Sequence, residues 1–178
     1  MREYHFKDVL FKNKKKTIIV ENAKQEHIGS VQMIDIEGCE QGSSFSYAPA
    51  NEKIVQMGIQ KRRLKNILFP LYTIKRGSQT YTFRDKPGYN LLYFCVVGKI
   101  NDQTVTFEEN WNGDIDLKID NVQRATIKMN EFTLKTTILV DQTINETSIF
   151  FAVTVLIYFM FKIYEDEAEL IQELLLDD

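Results

Sequence analysis

Two histidines, two cysteines and several carboxylate pairs are the side chains here whose types could do chemistry. His5 and His27 are isolated, with no second histidine or cysteine at ligand spacing, so each reads as a satisfied or solvated side chain and no metal is expected. Cys39 and Cys95 form no Cys-x-x-Cys pair, and no partner base can be named for either, so inert thiols are expected. There is no Gly-x-Ser-x-Gly elbow, and the Gly38–Ser44 loop lacks the lysine of a phosphate-binding loop. Glu108-Glu109 and Asp114 with Asp116 fall on faces that read as solvated, where solubility explains them. No catalytic residue and no cofactor are expected, and an enzyme is the weaker class. One segment, Glu108, Asn110, Asn112, Gly113, Asp114 and Asp116, partly imitates a calcium loop with Gly113 in sixth place. The twelfth place needs a bidentate glutamate and holds Ile119, and an Asn-Gly hairpin accounts for the same residues.

Positive charge is the affirmative signal. Lys12, Lys14, Lys15 and Lys16 fill an expected hairpin tip. Lys61, Arg62, Arg63 and Lys65 fill a second junction, and Lys75 with Arg76 a third. Near an anionic membrane each such side chain contributes about 1 kcal/mol, so a converging set would bind measurably, whereas a diverging set is only solubilising. Nucleic acid is not expected, because aromatic residues are not interleaved with these charges as stacking binders require. The net charge of −3 hides a polarity: residues 1–90 hold sixteen Lys and Arg against nine Asp and Glu, or +7, leaving −10 for residues 91–178. The two halves either attract different partners or lie side by side and offset each other. Two unpaired cysteines and an N-terminus without an apolar signal core point to the cytoplasm.

Strands must position these residues. Period-two segments recur at Tyr4–Phe11, Thr17–Asn22, His27–Ile36, Ser43–Tyr47, Lys53–Ile59 and Leu64–Arg76. They continue at Gln79–Arg84, Leu91–Ile100, Thr104–Asn110, Asp114–Asp120, Gln123–Met129 and Phe132–Asp141. Ile115, Leu117 and Ile119 face one way while Asp116, Lys118 and Asp120 face the other, the pattern of a strand wet on one side. Leu91–Val97 is apolar on both faces and should be deeply buried. Asn112-Gly113 is the strongest hairpin signal, expected as a type I′ turn, with Arg76-Gly77-Ser78, Asn101-Asp102 and Asp120-Asn121 weaker. Pro49, Pro70 and Pro87 fall at breaks. Consecutive hairpins make an antiparallel meander rather than a βαβ repeat.

From about residue 145 the period changes to that of a helix running to 176, with Asn and Thr of 143–147 as candidate caps and a break expected near Tyr164. Ser148–Phe161 carries no charge and is apolar on every side, so protein or lipid must enclose it. Fourteen residues span about 21 Å, short of a bilayer's ~30 Å. A tail anchor over 144–164 reaches spanning length only by taking in Asn145, Glu146 and Lys162. About twelve strands, by contrast, close into a barrel wide enough for a central helix. The expected fold is mainly β with one helix, a closed antiparallel barrel of about twelve strands (3–141) in a single domain over 1–178. Val153, Leu156, Ile157 and Met160 would face its walls.

A long antiparallel run followed by one very hydrophobic helix resembles the tubby C-terminal domain fold, shared with phospholipid scramblases and the LURP-one-related proteins. The opening Tyr4-His5-Phe6-Lys7-Asp8-Val9-Leu10-Phe11, then Thr17-Ile18-Ile19-Val20 and Ile28-Gly29-Ser30-Val31, is similar to the first strands of small bacterial members. The resemblance covers essentially the whole chain and rests on architecture. Eukaryotic tubby proteins bind phosphoinositides through basic surface residues, but those positions do not match one by one here, so that role does not carry over. The leading expectation is a non-enzymatic domain that meets anionic lipid surfaces through its basic turns, cytoplasmic and peripheral at the membrane. The alternatives are an interaction module without a lipid role and the tail anchor. The sequence does not identify the protein partner of such an interaction module.

Overall fold

The computed structural model describes residues 1–7, 16–50, 52–62, 69–86, 93–130 and 134–176. Its strands, in chain order, are β1 (Arg2–Lys7), β2 (Thr17–Asn22), β3 (His27–Met33), β4 (Cys39–Pro49), β5 (Val55–Gln60) and β6 (Leu71–Arg76). They continue as β7 (Gln79–Asp85), β8 (Cys95–Ile100), β9 (Gln103–Glu109), β10 (Ile115–Ile119), β11 (Val122–Asn130) and β12 (Lys135–Val140), and one helix follows, α1 (Ile149–Leu176). Every strand pairs antiparallel with its sequence neighbours. β1 closes the barrel against β12, from Arg2 opposite Val140 to Lys7 opposite Lys135. Closure leaves no sheet edge to template aggregation.

Alternation decides what faces inward. In β10, Ile115, Leu117 and Ile119 are buried while Asp116 and Lys118 are half-buried on the outer wall. Local turn chemistry sets each register. Asn101-Asp102 and Asp120-Asn121 both have positive φ at their two central residues, the type I′ signature, while at Gly77-Ser78 only the first, Gly77, does. At Asn112-Gly113 the expected type I′ turn gives way to a three-residue loop. The Gly113 N–H donates to the Asn110 carbonyl at 3.0 Å, and only Gly113 is left-handed, with φ 76°. The Asn110 side chain also accepts from the N–H groups of Asn112 and Asp114, so a third loop residue is accommodated. Pro49 ends β4, and Pro87 lies outside the described residues.

The barrel holds α1. Phe151 to Phe161 is buried without a break, and Val153, Leu156, Ile157 and Met160 have no exposed surface. Rings from several strands close on the helix. Tyr4 meets Phe151 edge-on at 4.8 Å, Phe6 meets Tyr158 at 5.1 Å, Phe45 stacks on Phe159 at 5.0 Å, and Phe94 meets Phe161 at 5.3 Å. The Thr154 hydroxyl, fully buried, donates to the Phe150 carbonyl at 2.7 Å and so leaves no unmet donor. This enclosure uses up the apolar run that a tail anchor would need. Among the described residues, no helix is long and apolar enough to cross a membrane.

Three details of the helix differ from expectation. Its cap is Ser148, whose Oγ accepts the Phe151 N–H at 3.2 Å, because Asn145 is already used in a preceding turn with the Thr147 N–H. The helix begins at Ile149 rather than 145, and it continues unbroken through Tyr164. Polar character there comes from a change of surroundings, from lumen to solvent, and not from a break. Within Leu91–Val97, Leu91 and Leu92 lie outside the described residues. Phe94, Cys95 and Val96 are buried, whereas Tyr93 and Val97 are half-buried.

Gly98 shows how tightly the lumen is filled. It sits opposite Phe83 across β7 and β8, and a Cβ there would lie 1.9 Å from the Phe83 ring, which is itself fully buried. Only a glycine lets the ring lie flat on the strand.

Candidate functional site

Antiparallel order gives the barrel two ends. At the entry end α1 passes in beside Arg2 and Arg76, and at the exit end it leaves past Arg62. Lys16, at the start of β2, and Lys61, just beyond β5, both stand exposed at the exit end. Lys12, Lys14, Lys15, Arg63 and Lys65 lie outside the described residues. Lys75 and Arg76 close β6 at the entry end and do not join the others. The Arg76 guanidinium donates to the Thr147 carbonyl at 3.2 Å and faces Glu52 at 3.9 Å, so it braces the approach to α1.

Arg62 has a structural task. Its side chain is only 9% exposed. Nε and Nη2 donate to the two oxygens of Glu40, each at 2.8 Å, while Nη1 donates to Glu167 Oε2 at 2.8 Å and Nη2 to its other oxygen. Such forked contacts exploit the planar guanidinium. They raise the Arg62 pKa above its ordinary value and hold the Glu40 carboxyl below the usual carboxylate range.

Barrel closure creates a basic site that the linear sequence hides. Lys7 and Lys135 are exposed and sit directly opposite each other across β1 and β12. Like charges so placed destabilise a sheet unless something offsets them. Both line a groove of about 570 Å³ with His5, Thr17, Ile19 and Glu21, and Lys16 immediately precedes Thr17. Burial and the Lys135 charge push the His5 imidazole below its ordinary value, against the pull of Glu3 and Glu21. No family model, curated protein or solved structure matches this chain. The site must therefore be read from its own chemistry.

Several other chemistry-bearing residues are occupied within the fold. Glu108 pairs with Lys118. Asp116 accepts from Asn110 at 3.2 Å, from Gln123 at 2.9 Å and from Thr126 at 2.7 Å, which stitches the hairpin that resembled a calcium loop. Among the described residues, no three His, Cys, Asp or Glu side chains are grouped to hold a metal ion. Cys39 and Cys95 are buried, and burial pushes both thiols up, away from the reactive thiolate.

Proposed function

We propose that this protein is a non-enzymatic, cytoplasmic barrel module of the tubby-like kind that docks peripherally on anionic surfaces, phospholipid headgroups above all, through its exit end. The carrying observation is the exposed Lys7–Lys135 pair lining one groove, at the barrel end where Lys16, next in the chain to the lining residue Thr17, and Lys61 also stand exposed. An anionic headgroup placed there would turn cross-strand repulsion into attraction. The closed twelve-stranded barrel around one C-terminal helix supports the resemblance to tubby domains.

A second reading has its own observation. Beyond Phe161, α1 runs on as an acid-rich helix with Leu170 exposed, a shape suited to a basic protein groove.

Sedimentation with vesicles separates the two. Wild type should pellet with phosphatidylserine vesicles at low salt and release as ionic strength rises and the screening length drops below ~10 Å. A Lys7→Glu, Lys16→Glu, Lys135→Glu variant should stay in the supernatant, while Lys75→Glu, at the entry end, should bind as wild type does. Failure of wild type to pellet, or equal pelleting by the triple variant, refutes the lipid reading.

A further inference from the structure

The exit end carries a buried acid that the proposed surface does not use. Asp85, the last residue of β7, is only 7% exposed, and its Oδ1 has no hydrogen-bond partner among the described residues. Arg62 (beyond β5) and Glu167 of α1 act on it electrostatically, and the Tyr72 hydroxyl of β6 faces it. Tyr164 of α1 and Cys95 of β8 also feel its charge, Lys86 follows it in the chain, and Glu40 of β4 shares Arg62.

One guanidinium thus binds two carboxyl groups and acts on the third, Asp85, only electrostatically. The fork of Arg62 is already committed to Glu40 and Glu167, and the Glu167 contact is a described tie between the outer half of α1 and the barrel rim. A charged Asp85 would compete for Arg62 and repel Glu167 at the same time. An uncharged one leaves the tie intact. We propose that Asp85 is a proton-controlled latch: protonated, it lets Arg62 hold Glu167 and fix the outer half of α1 to the rim, and ionised, it loosens that hold.

Burial is the largest influence on Asp85 and, with Glu167, outweighs Tyr72 and Arg62, which favour the charged form, so its carboxyl is pushed up to about 7. The latch therefore operates around neutrality, closed below and loosened above.

A nitroxide on Leu170→Cys, an exposed position, reports on it, because Cys39 and Cys95 are buried. Label mobility should rise between pH 5.5 and 8.5 with a midpoint near 7. In the Asp85→Asn background it should remain at the low-pH value throughout, and in Glu167→Gln it should be high at every pH. A label indifferent to pH in the otherwise wild-type protein, or the same midpoint in Asp85→Asn, overturns the latch. Carbon-13 titration of the wild-type carboxyls gives a second test that needs no variant. A midpoint for Asp85 in the ordinary range near 4 refutes the proposal, and one near neutrality supports it.

Discussion

Leu156→Ala and Leu170→Ala make the same chemical change on one helix, in two environments the structure sharply separates. Leu156 has no exposed surface, whereas Leu170 is 56% exposed. Deleting a buried leucine's branches costs the lost transfer free energy plus a cavity term, together about 2–5 kcal/mol. The upper part of that range, ~3–5 kcal/mol, is expected at Leu156, because the walls around it are a hydrogen-bonded closed barrel that cannot collapse inward. For a chain of this size each kcal/mol lowers the melting temperature by about 2–4 °C, so the loss is roughly 6–20 °C. At Leu170 the change should stay within about 0.5 kcal/mol, as for most surface substitutions. Urea unfolding followed by circular dichroism, with calorimetry for the melting temperature, gives both values. Equal losses at the two sites, or less than about 1 kcal/mol at Leu156, would refute the claim that the barrel encloses this helix.

Gly98→Ala should destabilise by about 1–3 kcal/mol in the same assay, since the new Cβ must displace the buried Phe83 ring. Ser148→Ala should cost about 1 kcal/mol by leaving the Phe151 N–H without its cap. Asp85 gives stability a pH dependence of known sign. The folded state keeps a proton that the unfolded chain has lost between about pH 4 and about 7. Stability should therefore fall across that window by at most ~1.4 kcal/mol per pH unit and level off above it. Asp85→Asn should remove that slope, measured as the difference between the two proteins' urea midpoints at each pH, and an unchanged slope would show that Asp85 does not titrate there.

Much of the architecture was legible because it is local. Strands such as β10 announce their inner face by simple alternation, and a helix without a polar side states that something must surround it. Turn types were less legible, since loop length separates only some of them: Gly77-Ser78 is as short as Asn101-Asp102 yet has one left-handed residue. Asn101-Asp102 joins directly opposed partners and needs two left-handed residues, whereas the loop before Asp114 has a third residue that absorbs the reversal. The basic site was half visible. Lys16 stood out in a cluster, but Lys7 and Lys135 meet only through closure of β1 on β12, far apart in sequence. Arg62 read as a surface cation because nothing linear brings Glu40 and Glu167 to it.

Because α1 follows all twelve strands, the chain is synthesised walls first and filling last. At about 5–20 residues per second, the stretch from Val140 to Phe161 takes roughly 1–4 s to emerge after the last strand. Through that interval Tyr4, Phe6, Phe45 and Phe94 have no helix to pack on, and β1 has only just met its partner β12. Hairpins can form as they are made, yet the closed barrel has no reason to be stable until its centre arrives. The newborn chain therefore exposes aromatic surface until its last segment arrives, and a ribosome stalled before residue 149 would leave a product without the helix its walls pack on.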